Sequence, residues 1–121
     1  MGLRHSTQKS FRYAFSGIKT AYISEPNLRI HTVMGTLAVL FGIVLKLSQT
    51  EWLLLVFTIF YVITLELMNT VLEAIVDLVS PEVKNAAKTA KDVSAAMVLI
   101  AAFMSIIVGV TLFLPKIIAL V

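Results

Sequence analysis

The sequence predicts an all-α membrane protein, with an N-terminal amphipathic helix on the bilayer surface and three transmembrane helices behind it. Three observations predict it. Of the 121 residues, 59% are hydrophobic and only 14% charged, where an ordinary soluble domain carries about 25% charged residues. Three long segments are almost free of charge: residues 32–47, 52–65 and 93–114. The basic residues gather beside those segments rather than along one face of a soluble fold. The length suits a single domain, residues 1–121.

The surface helix is expected over about residues 8–24. Phe11, Phe15, Ile18 and Tyr22 recur at spacings of four, three and four, with Arg12, Ser16 and Lys19 on the other side. A helix with an apolar stripe and a basic face suits the headgroup layer. The segment before it is polar and basic and lacks the apolar core of a signal peptide. Gly2 followed by Ser6 fits the loose myristoylation pattern, a short pattern that often arises by chance.

The first transmembrane helix is expected over residues 29–47. Pro26 disfavours helix at Glu25 and can open the next one, so Glu25 falls at the junction between surface helix and span. The second is expected over residues 52–79. The third is expected over 81–114, with Ser80 as cap, Pro81 at the first helical position and Glu82 at the positive end of the helix dipole. Pro115 marks its expected outer end. A span needs about 20 residues, which the second and third runs reach and the first approaches. Trp52 and Tyr22 suit opposite interfaces. Ala86, Ala87, Ala90, Ala95 and Ala96 leave room for a neighbouring helix to approach.

Orientation follows from the Lys/Arg bias. Arg4, Lys9, Arg12, Lys19 and Arg29 precede the first span, and Lys84, Lys88 and Lys91 lie between the second and third. The other end offers only Lys46 and Lys116. A multi-pass protein of the cell membrane with a cytoplasmic N-terminus and an extracellular C-terminus is expected.

The second span carries an anomaly. In "TLELMNTVLEAIVD", Glu66, Asn69, Thr70, Glu73 and Asp77 fall within roughly 100° of helical arc at 100° per residue. The residues between them are apolar. Asp77 can simply emerge into water at the helix end. Glu66 cannot, because it lies three to four turns from that end at about 3.6 residues per turn. A carboxylate at that depth costs several kcal/mol unless it is protonated, paired or in a wet cavity, and such residues mark functional sites. Glu66 is therefore the candidate general base.

Glu73 lies two turns further on, and Glu25 sits at the same level on another segment. Mg²⁺ takes carboxylate oxygens, often only one or two, with water and phosphate completing its shell. Glu25 and Glu73 fit that demand, and Lys91 is the candidate phosphate partner. Neither His5 nor His31 belongs to a metal-binding spacing, so both read as structural or surface residues.

Several classes fall away. The chain has no cysteine, hence no disulfide and no thiolate chemistry. It has no phosphate-cradling glycine loop, and its few basic residues flank the spans, which excludes nucleic acid as a partner. Two readings remain open on these grounds. One is an enzyme joining a Mg-nucleotide to a membrane-embedded alcohol; the other is a small proton- or cation-coupled transporter.

"ELMNTVLEAIVD" followed by "AKD" at Ala90–Asp92 resembles the signature of the prokaryotic integral-membrane diacylglycerol kinase family, E-x-x-N-[ST]-x-x-E-x-x-x-D … A-K-D. The resemblance extends over nearly the whole chain. "EPNLRIH" at Glu25–His31, "EW" at Glu51–Trp52 and "LFLPK" near the end look more like the undecaprenol kinase branch of Gram-positive bacteria. It implies phosphorylation of a membrane lipid alcohol, undecaprenol ahead of diacylglycerol, with ATP and Mg²⁺. It also implies a homotrimer with active sites shared between subunits. By position it makes Glu66 the catalytic residue and Glu25 and Glu73 the metal pair. Tyr13, Glu82, Val83, Lys84, Lys91 and Asp92 become nucleotide contacts, alongside Glu25 and Glu73. Arg29, Asn69 and Asp77 become supporting polar positions, with Ser94 and Met97 near the lipid-facing part. Ser6 stands where the diacylglycerol enzymes carry a substrate-contacting arginine, and His31 where they carry a glutamate.

Overall fold

The computed structural model describes residues 6–82 and 84–121. Gly2, Arg4, His5 and Val83 lie outside the described residues. Four α-helices follow one another: α1 (Thr7–Ser24), α2 (Pro26–Val44), α3 (Gln49–Val79) and α4 (Asn85–Ile118). The described residues form no strand, so the chain is an all-α protein as its periodicity predicts.

Helices α2, α3 and α4 are each long and apolar enough to cross a membrane, which makes this a multi-pass membrane protein. Their lengths set the depth of everything else. From Gln49, about 20 residues of α3 cover the hydrocarbon core, so the bilayer ends close to Met68. Glu66 then lies just inside that edge, while Glu73 and Asp77 stand beyond it. Counting back from the other end of α4 puts the edge near Val98, so the Asn85–Asp92 stretch projects out beside Asp77.

Glu25 has an extended backbone between α1 and α2, with Pro26 opening the second helix. A proline there lacks only an N–H that no helical carbonyl needs. Arg29 reaches back across the break, its guanidinium donating to the Ile23 carbonyl at 3.3 Å. The apolar residues Phe11, Phe15 and Ile18 of α1 stay exposed, as a helix in the headgroup layer requires.

The opposite end is closed by the Leu45–Ser48 turn, where Lys46 takes a left-handed φ of 54°. Ser48 and Glu51 form a reciprocal capping box: the Ser48 amide donates to Glu51 Oε2 at 2.7 Å, and the Glu51 amide donates to Ser48 Oγ at 3.3 Å. Lys116 Nζ lies 3.1 Å from the same Oε2 and ties the end of α4 to the start of α3. Trp52 packs into the turn so closely that a Cβ on Gly42 would meet its ring at 2.8 Å and Leu47 at 2.9 Å. A Cβ on Gly35 would stand 3.1 Å from Ile59, the second place where α2 presses on α3.

Both α2 and α4 pack on α3, with little direct contact between them. The small buried core of Leu47, Leu55, Val108 and Leu112 therefore lies toward the turn end. Space remains open between α2 and α4, floored by α3.

Several boundaries differ from the sequence reading: α2 runs over Pro26–Val44 rather than 29–47, α3 starts at Gln49 rather than at 52, and both ends of α4 move. Helix α4 begins at Asn85 with Lys84 as its cap residue, not at Pro81. The Ser80 hydroxyl is used elsewhere, donating to the Glu82 carbonyl at 3.0 Å, while its amide closes the end of α3 on Val76. A serine that terminates one helix is not free to cap the next. Pro115 lies inside α4, which runs on to Ile118. Proline forfeits the bond its own N–H would make and its ring crowds the carbonyl one turn back, yet the helix continues and the Pro115 carbonyl still accepts from Ala119.

Candidate active site

The space between α2 and α4 divides into two compartments. A polar cavity of about 550 Å³ is lined by Glu25, Asn27, His31, Glu66, Asn69, Glu73 and Asp92, closed on the α4 side by Ala95, Ala96, Val98, Leu99 and Ala102. An apolar cleft of about 290 Å³ lies toward the turn end. Its walls are Met34, Gly35, Ala38 and Phe41 of α2, Leu55, Thr58, Ile59 and Val62 of α3, and Ser105, Ile106, Val108, Gly109 and Phe113 of α4. On all three helices the lining changes from polar cavity to apolar cleft at one level. His31 alone lines both.

Glu66 sits at that level and is almost wholly buried, 3% exposed. Its neighbour across the interface is His31, with Nε2 3.1 Å from Oε1. The distance is that of an ion pair, but the ring N–H does not line up on the oxygen. Oε1 is buried without a hydrogen-bond partner among the described residues. This corrects the reading of His31 as an isolated structural or surface histidine. No spacing along the chain could reveal the contact, because residues 31 and 66 meet only through the rotation of α2 against α3.

One turn along, Asn69 bridges two helices. Its Nδ2 donates to Glu73 Oε1 at 3.3 Å, and its Oδ1 accepts from Ser94 Oγ at 2.7 Å. Ser94 is buried, 3% exposed, between α3 and α4. Half-buried Met97 lies one turn further along α4. The Thr70 hydroxyl is spent on the Glu66 carbonyl.

A second, smaller recess of about 200 Å³ gathers Asp77, Ser80, Glu82, Lys88, Lys91 and Asp92. There Lys91 Nζ pairs with Asp77 Oδ1 at 2.5 Å, and Lys88 Nζ with Asp92 Oδ2 at 2.6 Å. Asp92 lines both this recess and the polar cavity, so the two adjoin at that residue. The predicted positions therefore separate into groups. Glu66, Asn69, Glu73, Glu25 and Asp92 share one cavity; Asp77, Glu82 and Lys91 share the recess beside it. Lys84 caps α4 nearby and is exposed. Arg29 and Tyr13 line neither space; Arg29 braces the α1–α2 junction and Tyr13 stands exposed on α1.

No group of three or more metal-ligating side chains occurs among the described residues. That is compatible with Mg²⁺, which needs only one or two protein carboxylates when phosphate and water supply the rest. Glu25 at the start of α2 and Glu73 on α3 both line the cavity and offer such hard oxygen donors.

Comparison with known proteins gives the family. Residues 12–113 match the prokaryotic diacylglycerol kinase family. The chain belongs to that family. It is 41% identical over 112 residues to a diacylglycerol kinase of Synechocystis, covering 92% of this chain and 64% of that protein's length. It is 36% identical over 108 residues to an undecaprenol kinase of Bacillus subtilis, covering 89% and 88% of the two chains. A diacylglycerol kinase of Escherichia coli is 31% identical over 99 residues, 82% of this chain and 81% of its own. Every residue of the two compartments falls inside the matched segment.

Proposed function

We propose that this chain is a lipid kinase that transfers the γ-phosphoryl group of ATP to the hydroxyl of a membrane lipid alcohol, undecaprenol ahead of diacylglycerol. One observation carries the reading: a buried carboxylate, Glu66, stands where an apolar cleft within the bilayer meets a polar cavity rich in acids. A lipid alcohol and a nucleotide live in different solvents, and such a boundary is where they can meet.

Phosphoryl transfer asks the protein for positioning, charge neutralisation and a base at the acceptor. Glu66 takes the proton of the lipid hydroxyl as its oxygen bonds to the γ-phosphorus. The bond from that phosphorus to the bridging oxygen breaks, and ADP leaves with the electron pair. Glu25 and Glu73 would hold Mg²⁺, which would neutralise charge on the phosphates. Asn69 keeps Glu73 oriented. Lys91 turns from Asp77 to the incoming phosphates, with Lys84, Glu82, Val83, Asp92 and Tyr13 as further nucleotide contacts.

The acceptor preference has a physical basis beside the resemblance. The cleft holds three polar side chains, His31, Thr58 and Ser105. Both hydroxyls are spent on their own helix, Thr58 on Leu54 and Ser105 on Ala102, each at 2.7 Å. Diacylglycerol brings two ester carbonyls beside its hydroxyl, and apart from the His31 ring at its polar end the cleft has no side-chain donor left for them; desolvating an unpaired polar group is costly. A polyprenol brings one hydroxyl and an apolar chain. The Synechocystis relative is nevertheless a diacylglycerol kinase, so both acceptors enter the test.

A single subunit leaves the cavity walled by three helices, with much of each span's apolar surface exposed. A homotrimer with shared sites completes the enclosure, with the N-terminus cytoplasmic, where ATP is found, and the C-terminus extracellular. The deciding assay is purified protein in mixed micelles with labelled ATP, Mg²⁺ and each lipid in turn. Label is expected in undecaprenyl phosphate first and phosphatidic acid second. Label in neither would overturn the kinase reading and return the acid stripe to a transporter.

A further inference from the structure

Among the described residues, His31 is the one common to the polar cavity and the apolar cleft, and it is the sole basic side chain lining the polar cavity, among Glu25, Glu66, Glu73 and Asp92. Its Nε2 lies 3.1 Å from the buried Oε1 of Glu66, and its side chain is 22% exposed. Leaving a buried carboxylate oxygen without a hydrogen bond is costly. No other described residue offers Oε1 a donor. At 3.1 Å, an imidazole turned so that an Nε2–H points at Oε1 would supply that bond.

We propose that His31 is the positioning residue for Glu66. Its Nε2–H holds the carboxylate at the seam between the two compartments, aimed at a hydroxyl entering from the apolar cleft. The ring also fills the passage beside Glu66, so that the chain of the acceptor stays in the cleft while its hydroxyl passes to the polar side. This rests on the lipid kinase reading. Without the imidazole, Glu66 keeps its chemistry but loses its direction, and a misplacement of about 1 Å at a reacting group can cost on the order of 10²-fold in rate.

Two amides separate positioning from mere packing. Glutamine at position 31 carries its amide nitrogen about as far from the backbone as Nε2, whereas the nitrogen of asparagine reaches only as far as Nδ1. With Mg-ATP and undecaprenol in nanodiscs, His31→Ala and His31→Asn should each lose about tenfold or more in kcat, with KM for Mg-ATP within about twofold of wild type. His31→Gln should recover most of the loss. Turnover of His31→Ala within about twofold of wild type, or His31→Asn matching His31→Gln, would overturn the proposal. A second readout needs no turnover. The infrared carboxyl band of Glu66, assigned by its disappearance in Glu66→Gln, should shift in substrate-free His31→Ala and return toward its wild-type position in His31→Gln. An unmoved band sinks the pairing. Wild-type protein that phosphorylates no lipid would instead overturn the kinase reading, and the infrared comparison would still judge His31 by itself.

Discussion

Ser94 on α4 donates its hydroxyl to Asn69 on α3 at 2.7 Å, and the far side of the same amide donates to Glu73 at 3.3 Å. One amide thus couples the packing of two membrane helices to the direction of a carboxylate in the polar cavity.

Ser94→Ala removes the donor and leaves the Asn69 carbonyl oxygen without it. The expected cost is about 1 kcal/mol of stability. The more telling effect is on Glu73, whose orienting amide is freed to rotate. KM for Mg-ATP should rise several-fold with kcat at saturation nearly unchanged. Unfolding in detergent and a Mg-ATP titration measure the two effects separately. A loss of kcat with KM untouched would disconnect Ser94 from Glu73.

Glu73→Gln keeps shape and removes a charge from the candidate Mg²⁺ pair. Turnover should fall at low Mg²⁺ and recover in part as Mg²⁺ is raised, because one carboxylate and the phosphates still offer hard oxygen ligands. A Mg²⁺ titration of initial rates checks this. A deficit that Mg²⁺ leaves unmoved would assign Glu73 another role.

Gly42→Leu tests the turn rather than the site. Even a Cβ there would stand 2.8 Å from the Trp52 ring, and an indole in a packed turn cannot swing aside freely. Overpacking of this kind costs about 1–3 kcal/mol. The thermal midpoint should drop, while enzyme assayed well below it keeps its KM for Mg-ATP. An unchanged midpoint would mean that the turn is looser than it stands.

Shared sites predict complementation. Glu66→Gln and Glu25→Gln subunits, each inactive alone, are mixed and reassembled. Within one chain Glu25 and Glu66 line the same cavity, so activity reappears only if the working site of the trimer draws Glu25 from across a subunit interface instead, which leaves some sites in mixed trimers wholly wild type. Lasting inactivity in demonstrably mixed trimers would mean that each subunit builds its own site.

Much of this was legible in the residues because membrane helices obey simple rules. Span length, the Glu25–Pro26 break and the one-sided arc of Glu66, Asn69 and Glu73 are local properties of one helix or one junction. The contacts between helices were not legible. His31 against Glu66 and Ser94 against Asn69 depend on how α2 and α4 rotate on α3, and α2 is held there by close approaches at Gly35 and Gly42. The start of α4 escaped for a different reason. "SPE" carries start signals, but Ser80 is already committed to the end of α3 and to Glu82. The capping box at Ser48 and Glu51 is a readable S-x-x-E pattern, and its partner Lys116 becomes visible only when α4 runs through Pro115.

In the proposed reaction Glu66 takes the proton of a lipid hydroxyl that reaches it from the apolar cleft. The most direct measurement sets wild type beside Glu66→Gln in nanodiscs, with γ-labelled ATP, Mg²⁺ and undecaprenol, while Mg-ATP affinity is measured on the same samples. Label should pass to the lipid in wild type and fall by roughly 10²-fold or more in the variant, the scale of losing a general base, with nucleotide affinity unchanged. Near-normal transfer by Glu66→Gln would contradict the account.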